Sequence, residues 1–423
     1  MEYEFQKSTL PNGIRVLTER LPASRAVSVG IWIASGSRDE PGEFSGISHF
    51  IEHMIFKGTE TRSALDIAKT FDRLGGFSNA FTSKETTCFH AKVLDSHLDI
   101  VLDLLADIFL NSTFDPVEVE RERQVILQEI SMVEDSPDEL VHEFFNKSFW
   151  HGNPVERSIL GTPETVSRIT SSHLRFHMNR FAIAPQVLVS AAGNIDHHSF
   201  CKRIEALFSD LSNGIHSAVR KPPRGNFDCF FKEKDLEQTH IMVGLNGPSS
   251  LDPDRYPTLL MNVILGGSMS SRLFQEIREK RGLAYAVYSF VSTLQDAGFI
   301  GIYAGVAPEN TCKVLELIRN EVIRLASEDV SDAELAAAKD NIKGGILLSA
   351  DNTDARMTRI ARNEIDLGKY VSYDQVVEKI DGVDASQIKA CAQKYLDHGI
   401  AAALLGPLSK KERERCKKIV RDA

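Results

Sequence analysis

The pattern of apolar and polar residues runs twice through the same order along the 423-residue chain. The first half opens with the strand-like segments "GIRVLTER" and "AVSVGIWIASGS", and the second half opens with "THIMVGLNG". In both halves a helical pattern, further strand-like segments and longer helical patterns follow. This order predicts an α+β protein made of two similar halves.

The clearest interruption of the apolar pattern is "LSNGIHSAVRKPPRGNF", which contains Asn-Gly, Pro-Pro and a further glycine. Residues of these types favour turns and loops. We therefore predict an N-terminal domain over 1–212, a linker over 213–227 and a C-terminal domain over 228–423. The length of the chain agrees with this division, because single compact domains of this size are uncommon.

The two halves can be aligned as a possible internal repeat. The helical segment 117–129 aligns with 333–345, and "SHFIEH" at 48–53 aligns with "SRLFQE" at 271–276. The apolar positions correspond, but the histidines and most of the acidic residues of the first half have no counterpart in the second. We therefore predict a duplication in which only the first half retains a metal site.

Composition and charge limit the classes of function. The chain has 42% hydrophobic residues, 26% charged residues and a formal net charge of −10, which is typical of an acidic globular protein. This charge disfavours a nucleic-acid partner. No apolar run approaches the roughly 18 residues that cross a bilayer, so we expect no membrane partner.

The N-terminal residues and the cysteines predict the compartment. The segment "MEYEFQKSTL" has neither a secretory nor an organelle-targeting pattern. The six cysteines are widely spaced and form no C-x-x-C pair, which favours a reducing environment. We expect a cytoplasmic protein with reduced thiols.

The segment "GISHFIEHMIFKGT" at 46–59 contains a candidate metal site. Positions i and i+4 of a helix share a face, so His49 and His53 can bind one ion, and Glu52 lies one position round from His53. A catalytic zinc requires three protein ligands and an open position for water. A third ligand must therefore come from elsewhere in the chain.

The segment 115–135, "DPVEVERERQVILQEISMVED", offers that ligand. Asp115, with proline next and glutamate three residues on, is typical of a helix start. Glu122 and Glu129 are two turns apart on the same face, so one can bind the metal while the other accepts a hydrogen bond from a ligand histidine. We assign Glu129 as the third ligand and Glu122 as the acceptor.

The H-x-x-E-H motif followed by E-x6-E resembles the inverted-motif zinc peptidases. This is the pitrilysin and insulin-degrading-enzyme family, which includes the mitochondrial processing peptidase β subunit. The segment "LGGFSNAFTSKETTCFHAKV" resembles the edge strand of that family, in which Asn79 and Ala80 match the pair beside the cleaved peptide. The segment "LGGSMSSRLFQEIREKRGLAYAVYS" resembles its second-half motif, in which Arg278 and Tyr285 match the residues that reach the substrate from the opposing domain.

This resemblance implies two homologous α/β-sandwich domains that form half of a clam-like chamber, completed by a second subunit. The short bacterial members that this chain resembles pair as homodimers, whereas the mitochondrial enzyme pairs with a related degenerate subunit. Because this chain carries both the metal-site residues and the Arg278–Tyr285 pair, we expect a homodimer in a bacterial cell, with a degenerate partner as the alternative.

The resemblance also implies a zinc-dependent endopeptidase with one Zn²⁺ per chain, acting on peptides or unfolded segments. Glu52 would take a proton from the zinc-bound water and pass it to the leaving amine. Tyr285 would stabilise the oxyanion, Arg278 would hold the substrate backbone, and the strand at 79–86 would pair with the peptide.

The alternative is a scaffold or assembly subunit that descends from such peptidases and has lost activity. The complete set of four metal-site residues favours the enzyme. The remaining histidines lack an acidic partner at ligand spacing, so we expect structural or surface roles for His142, His151, His173, His177, His197 and His198.

Overall fold

The computed structural model describes residues 4–214 and 220–422, so residues 215–219 of the predicted linker lie outside the described residues. The described chain forms two compact units, each of which combines helices with one sheet. Apart from the residues that are not described, the first unit comprises Met1–Ser131, Arg157–Arg220 and Ser349–Tyr370. The second comprises Met132–Glu156, Lys221–Leu348 and Val371–Ala423.

The strands form one sheet in each unit, with the order β1-β2-β6-β3-β5-β4 in the first and β7-β11-β8-β10-β9 in the second. The strands are β1 Glu4–Thr9, β2 Arg15–Arg20, β3 Ala26–Ile33, β4 Phe77–Thr82, β5 Thr87–Leu94, β6 Val187–Gly193, β7 Cys229–Lys232, β8 Thr239–Asn246, β9 Ala284–Thr293, β10 Gly298–Val306 and β11 Ala401–Leu405.

Fifteen α-helices accompany the strands in the described residues, and several of them pack an apolar side on a face of the sheets. They are α1 Ile47–Met54, α2 Ala64–Leu74, α3 Leu98–Asn111, α4 Pro116–Asp135, α5 Pro137–Phe149, α6 Pro163–Arg168, α7 Ser171–Phe181, α8 His197–Leu207, α9 Arg255–Leu265, α10 Thr311–Ser327, α11 Asp332–Ser349, α12 Thr353–Arg362, α13 Tyr373–Asp381, α14 Ala385–Leu396 and α15 Lys410–Arg421. Two π-helical segments lie at Phe274–Glu279 and Asn363–Leu367.

The two sheets share one pairing pattern. In the first unit β2 is parallel to β6, and β3 runs antiparallel between β6 and β5. In the second unit β7 is parallel to β11, and β8 runs antiparallel between β11 and β10. Both units end in an antiparallel edge strand, β4 or β9. The predicted α+β fold with two homologous domains is therefore confirmed, and β1 is an addition to the first sheet.

Packing also shows which helices correspond. In the first unit α1 packs against β4 and α7, and in the second unit α9 packs against β9 and α14. Helices α7 and α14 both precede the strand that pairs in parallel. The predicted alignment of 48–53 with 271–276 is therefore wrong, because α9 takes the place of α1. Residues 271–276 follow α9 and lead towards β9, as α2 leads into β4.

The compact units are not the continuous halves 1–212 and 228–423. Helix α5 comes from the first half of the sequence but packs on β8 and β11, and α12 comes from the second half but packs on β2, β3 and β6. Glycines in the two central strands make room for these helices. A β-carbon on Gly30 would lie 2.7 Å from Met357 Sδ, and one on Gly244 would lie 2.1 Å from Phe145 Cζ.

Candidate metal centre

The amino end of α1 is fixed by Glu40, a buried residue that the sequence analysis did not single out. Its two carboxylate oxygens accept the backbone N–H groups of Gly46 and Ser48, each at 2.8 Å. Burial raises the pKa of Glu40 to about 7, against the lowering effect of these hydrogen bonds. Gly46 has φ 95°, and a β-carbon there would lie 2.6 Å from the carbonyl oxygen of Leu160. The position of the helix is therefore closely determined.

Helix α1 presents His49 and His53 on one face, as the i, i+4 spacing predicts. Their ring centroids are 4.7 Å apart. Glu129 Oε2, on α4, lies 3.6 Å from His49 Nε2 and 3.5 Å from His53 Nε2. One ligand atom from each residue lies within 4.8 Å of the other two. The structure thus brings the three predicted ligands together, and their donor set fits a zinc ion with an open coordination position.

The electrostatic environment keeps His49 in the form that binds a metal. Burial and the neighbouring His53 lower the pKa of His49 to about 4. The imidazole is therefore neutral at neutral pH, with a lone pair available. His49 Nδ1 is buried and has no hydrogen-bond partner in the part of the chain that the structure describes.

Glu122 lies beside His53, where it can accept a hydrogen bond from the ring nitrogen that does not face Glu129. Its Oε2 atom is 3.1 Å from His53 Nδ1, so a proton on Nδ1 can be donated to Glu122 while Nε2 points to Glu129. The other oxygen, Oε1, lies 2.5 Å from Lys57 Nζ. Lys57 is in the same short segment as the two histidines, but the sequence pattern did not identify it.

Glu52 lies on α1 beside His53 and is partly buried. Burial raises the pKa of Glu52, and a 2.7 Å hydrogen bond from Thr82 Oγ1 to Oε2 acts in the opposite direction. A carboxylate in this position can accept a proton and return it. Thr82 is a further residue that the sequence analysis missed, because its contact depends on how β4 packs against α1.

The predicted substrate strand is the edge of the first sheet. β4 pairs with β5, and among the described residues no strand pairs with its other side. Ala80 is buried, whereas Asn79 is exposed and its Oδ1 accepts the backbone N–H of Ala80 at 2.9 Å. A free strand edge of this kind can add an extended peptide.

Arg278 and Tyr285 lie together in the second unit. The guanidinium carbon of Arg278 is 5.0 Å from the ring centroid of Tyr285 and 4.7 Å from that of Phe274. Such stacking orients the guanidinium group. Tyr285 is 82% exposed at the start of β9, so its hydroxyl group is accessible.

Three of the histidines for which we expect structural or surface roles have side-chain partners. His142 Nε2 lies 3.1 Å from Tyr288 Oη, and His177 Nε2 lies 3.3 Å from Ser48 Oγ. His197 Nδ1 lies 2.8 Å from Thr18 Oγ1. Histidines with such partners are satisfied packing residues.

The fold and the His-His-Glu group define the class of zinc proteases with an inverted H-x-x-E-H motif. The family model "Insulinase (Peptidase family M16)" matches residues 15–163, and "Peptidase M16 inactive domain" matches residues 168–342. The chain therefore belongs to peptidase family M16, which confirms the resemblance seen in the sequence.

Relatives and solved structures agree with this assignment. The chain is 39% identical over 403 residues to "Uncharacterized zinc protease YmxG" of Bacillus subtilis, covering 95% of this chain and 98% of that one. It is 38% identical over 408 residues to an "Uncharacterized zinc protease" of Rickettsia felis, with coverages of 96% and 98%. A Helicobacter pylori protease structure shares the fold, with a TM-score of 0.89 at 22% identity and coverages of 96% and 100%.

Proposed function

We propose that this chain is a zinc-dependent endopeptidase that binds one zinc ion through His49, His53 and Glu129. The observation that carries this proposal is that ligand atoms of these three residues lie within 4.8 Å of one another. Glu52 lies on α1, the helix that carries both histidines. The names of the relatives support zinc and proteolysis as the general activity. The complete ligand set also favours an enzyme over the scaffold alternative.

In the proposed hydrolysis of a peptide bond, the zinc ion and the side chains have different roles. Zinc in such a site activates water and polarises a peptide carbonyl as a Lewis acid. Glu52 takes the proton of the attacking water and then delivers it to the leaving amine. Glu122 orients His53, and the hydrogen bond from Thr82 holds the carboxylate of Glu52 in place.

The substrates that we propose are peptides or unfolded segments in an extended conformation. The free edge of β4 binds main-chain groups, which gives affinity with little dependence on sequence. Asn79 and Ala80 lie on that edge. Tyr285 stabilises the oxyanion, and Arg278 holds the substrate backbone.

We further propose a homodimer in the cytoplasm of a bacterial cell. The chain carries both the zinc ligands and the Arg278–Tyr285 pair, so two identical chains can supply complete sites. In this arrangement Arg278 and Tyr285 of one protomer act on the peptide bound at the zinc of its partner. Among the described residues, no helix combines the length and apolar character needed to span a membrane.

The direct experiment combines metal analysis with hydrolysis of a quenched fluorescent peptide library. We expect one zinc per chain and hydrolysis that a chelator abolishes and added zinc restores. Protein that binds zinc but cleaves no peptide would contradict the proposed activity. Protein that cleaves peptides equally well after complete removal of metal would contradict the proposed chemistry.

A further inference from the structure

We infer that Lys57 is a positioning residue of the metal centre, because it fixes the carboxylate that orients His53. The inference rests on the proposed zinc site and adds one residue to it. Lys57 touches neither the metal ligands' donor atoms nor the general base. Its action on zinc passes through Glu122.

The geometry places one carboxylate between two partners. Lys57 follows the last turn of α1, where its backbone N–H bonds to the carbonyl oxygen of Met54 at 3.0 Å. Lys57 Nζ lies 2.5 Å from Glu122 Oε1, and His53 Nδ1 lies 3.1 Å from Glu122 Oε2. Each oxygen of Glu122 therefore has its own partner, and both partners belong to the same segment of chain.

Glu122 needs this second partner for its orientation. The terminal torsion of a glutamate is broad, so a carboxylate with one contact can turn away from it. Contacts on both oxygens fix its plane relative to the ring of His53. The side chain of Glu122 is also only 9% exposed, so without Lys57 its Oε1 atom would lose its charged partner in a site that water hardly reaches.

Lys57 has two possible effects on zinc, and they have opposite signs. Its positive charge repels a cation, whereas its hold on Glu122 keeps His53 in the orientation that binds one. The Lys57 side chain is 32% exposed, so water and salt weaken the repulsion. Loss of the group that orients a ligand histidine typically weakens metal binding about 10- to 100-fold. We therefore expect the positioning effect to dominate.

The test measures zinc affinity of the metal-free protein by competition with a chromophoric chelator, without any substrate. We expect Lys57→Met to weaken zinc binding about tenfold and Lys57→Arg to stay close to the wild type. The matched control is Lys69→Met on α2, an exposed lysine outside the metal centre, which should bind zinc as the wild type does. Thermal unfolding of each metal-free variant checks its fold, and Lys57→Gln is the second variant if Lys57→Met is unstable.

A double-substitution cycle shows whether Lys57 acts through Glu122. In a Glu122→Gln background, Lys57→Met should change zinc affinity by less than about twofold, because the intermediary is already lost. Unchanged or tighter zinc binding in Lys57→Met would overturn the inference, and so would a full tenfold loss in the Glu122→Gln background. If the wild type itself bound no zinc, the proposed function would fail as well, so the two failures can be told apart.

Discussion

The helix beside the edge strand differs between the two units, although five strands of each sheet follow the same order. In the first unit α1 presents two histidines and Glu52 towards α4 and β4. In the second unit α9 carries no histidine, and a β-carbon on Gly266 at its end would lie 2.7 Å from the backbone nitrogen of Ser289 on β9. The carboxyl end of α9 thus packs directly on β9, and α9 has no pair of histidines that could bind a metal.

Helices α4 and α11, which lie later in each unit, also carry different side chains. In the first unit α4 contributes Glu129 and Glu122 to the histidines of α1. In the second unit α11 forms a two-point ion pair, in which Arg272 Nε lies 2.9 Å and Nη2 lies 3.2 Å from the two oxygens of Glu334. The comparison teaches that one scaffold carries either the His-His-Glu group or an ion pair, according to a few side chains on these helices.

The largest expected effect is loss of the metal from the first unit. His49→Ala, His53→Ala or Glu129→Gln should abolish zinc binding and peptide hydrolysis together, because two protein ligands do not retain a catalytic zinc. Metal analysis and peptide assays measure both quantities. Glu334→Gln in the second unit is the control and should retain one zinc per chain. Full zinc content in Glu129→Gln would show that the third ligand is a different residue.

The next prediction distinguishes the proposed general base, Glu52, from the three proposed zinc ligands. Glu52→Gln should retain zinc but lose turnover by about 100-fold or more, because the proton acceptor is removed while the three ligands stay. Zinc content and kcat are measured on the same preparation. If zinc were lost together with activity, Glu52 would have to be counted among the ligands.

The third prediction tests whether the first unit of one chain and the second unit of its partner together form each site. Glu52→Gln and Tyr285→Phe chains, each inactive alone, should regain up to about a quarter of wild-type activity when mixed and allowed to exchange subunits. The reason is that a heterodimer contains one site in which zinc, Glu52 and Tyr285 are all intact. Mass spectrometry of the native dimers checks the exchange. Exchange without recovery would mean that each site is completed within one chain.

The smallest effect concerns the ion pair of the second unit. The Arg272 guanidinium group lowers the pKa of Glu334 to about 2. A depressed pKa stabilises the fold above the unfolded-state pKa, and this contribution is lost as pH falls from about 4.5 towards 2. Glu334 is partly exposed, so Glu334→Gln should lower the free energy of unfolding by only about 1 kcal/mol at pH 7. Urea unfolding of the metal-free proteins measures the free energy of unfolding of the wild type and of Glu334→Gln. The difference between the two should be smaller at pH 3.5 than at pH 7, and an equal difference at both pH values would argue against this role.

The proposed metal ligands could be brought together from the sequence because their geometry is mostly local. His49 and His53 share a helix face by spacing alone, and Glu122 and Glu129 share another. The family resemblance supported the pairing of these two helices, and the structure places all four residues together. Thr82, Lys57 and Glu40 could not be predicted in this way, because their roles depend on contacts between elements rather than on a periodic pattern.

The fold was predicted more fully than the packing of its segments. Alternating strand and helix patterns gave two similar α+β halves, which the matched strand orders confirm. The sequence did not show that α5 and α12 each pack on the sheet formed by the other half. The sequence of an amphipathic helix shows which face is apolar but not which sheet that face packs against. In the same way, the need for glycine at positions 30 and 244 is evident only from the contacts with Met357 and Phe145.

The most direct test of the comparison is anomalous diffraction at the zinc absorption edge from crystals grown with zinc. We expect one anomalous peak per chain, at about 2.0–2.2 Å from a nitrogen of His49, a nitrogen of His53 and an oxygen of Glu129, as zinc ligation requires. We expect no peak beside α9 and α11. A peak at Arg272 and Glu334, or the absence of a peak between α1 and α4, would contradict the account.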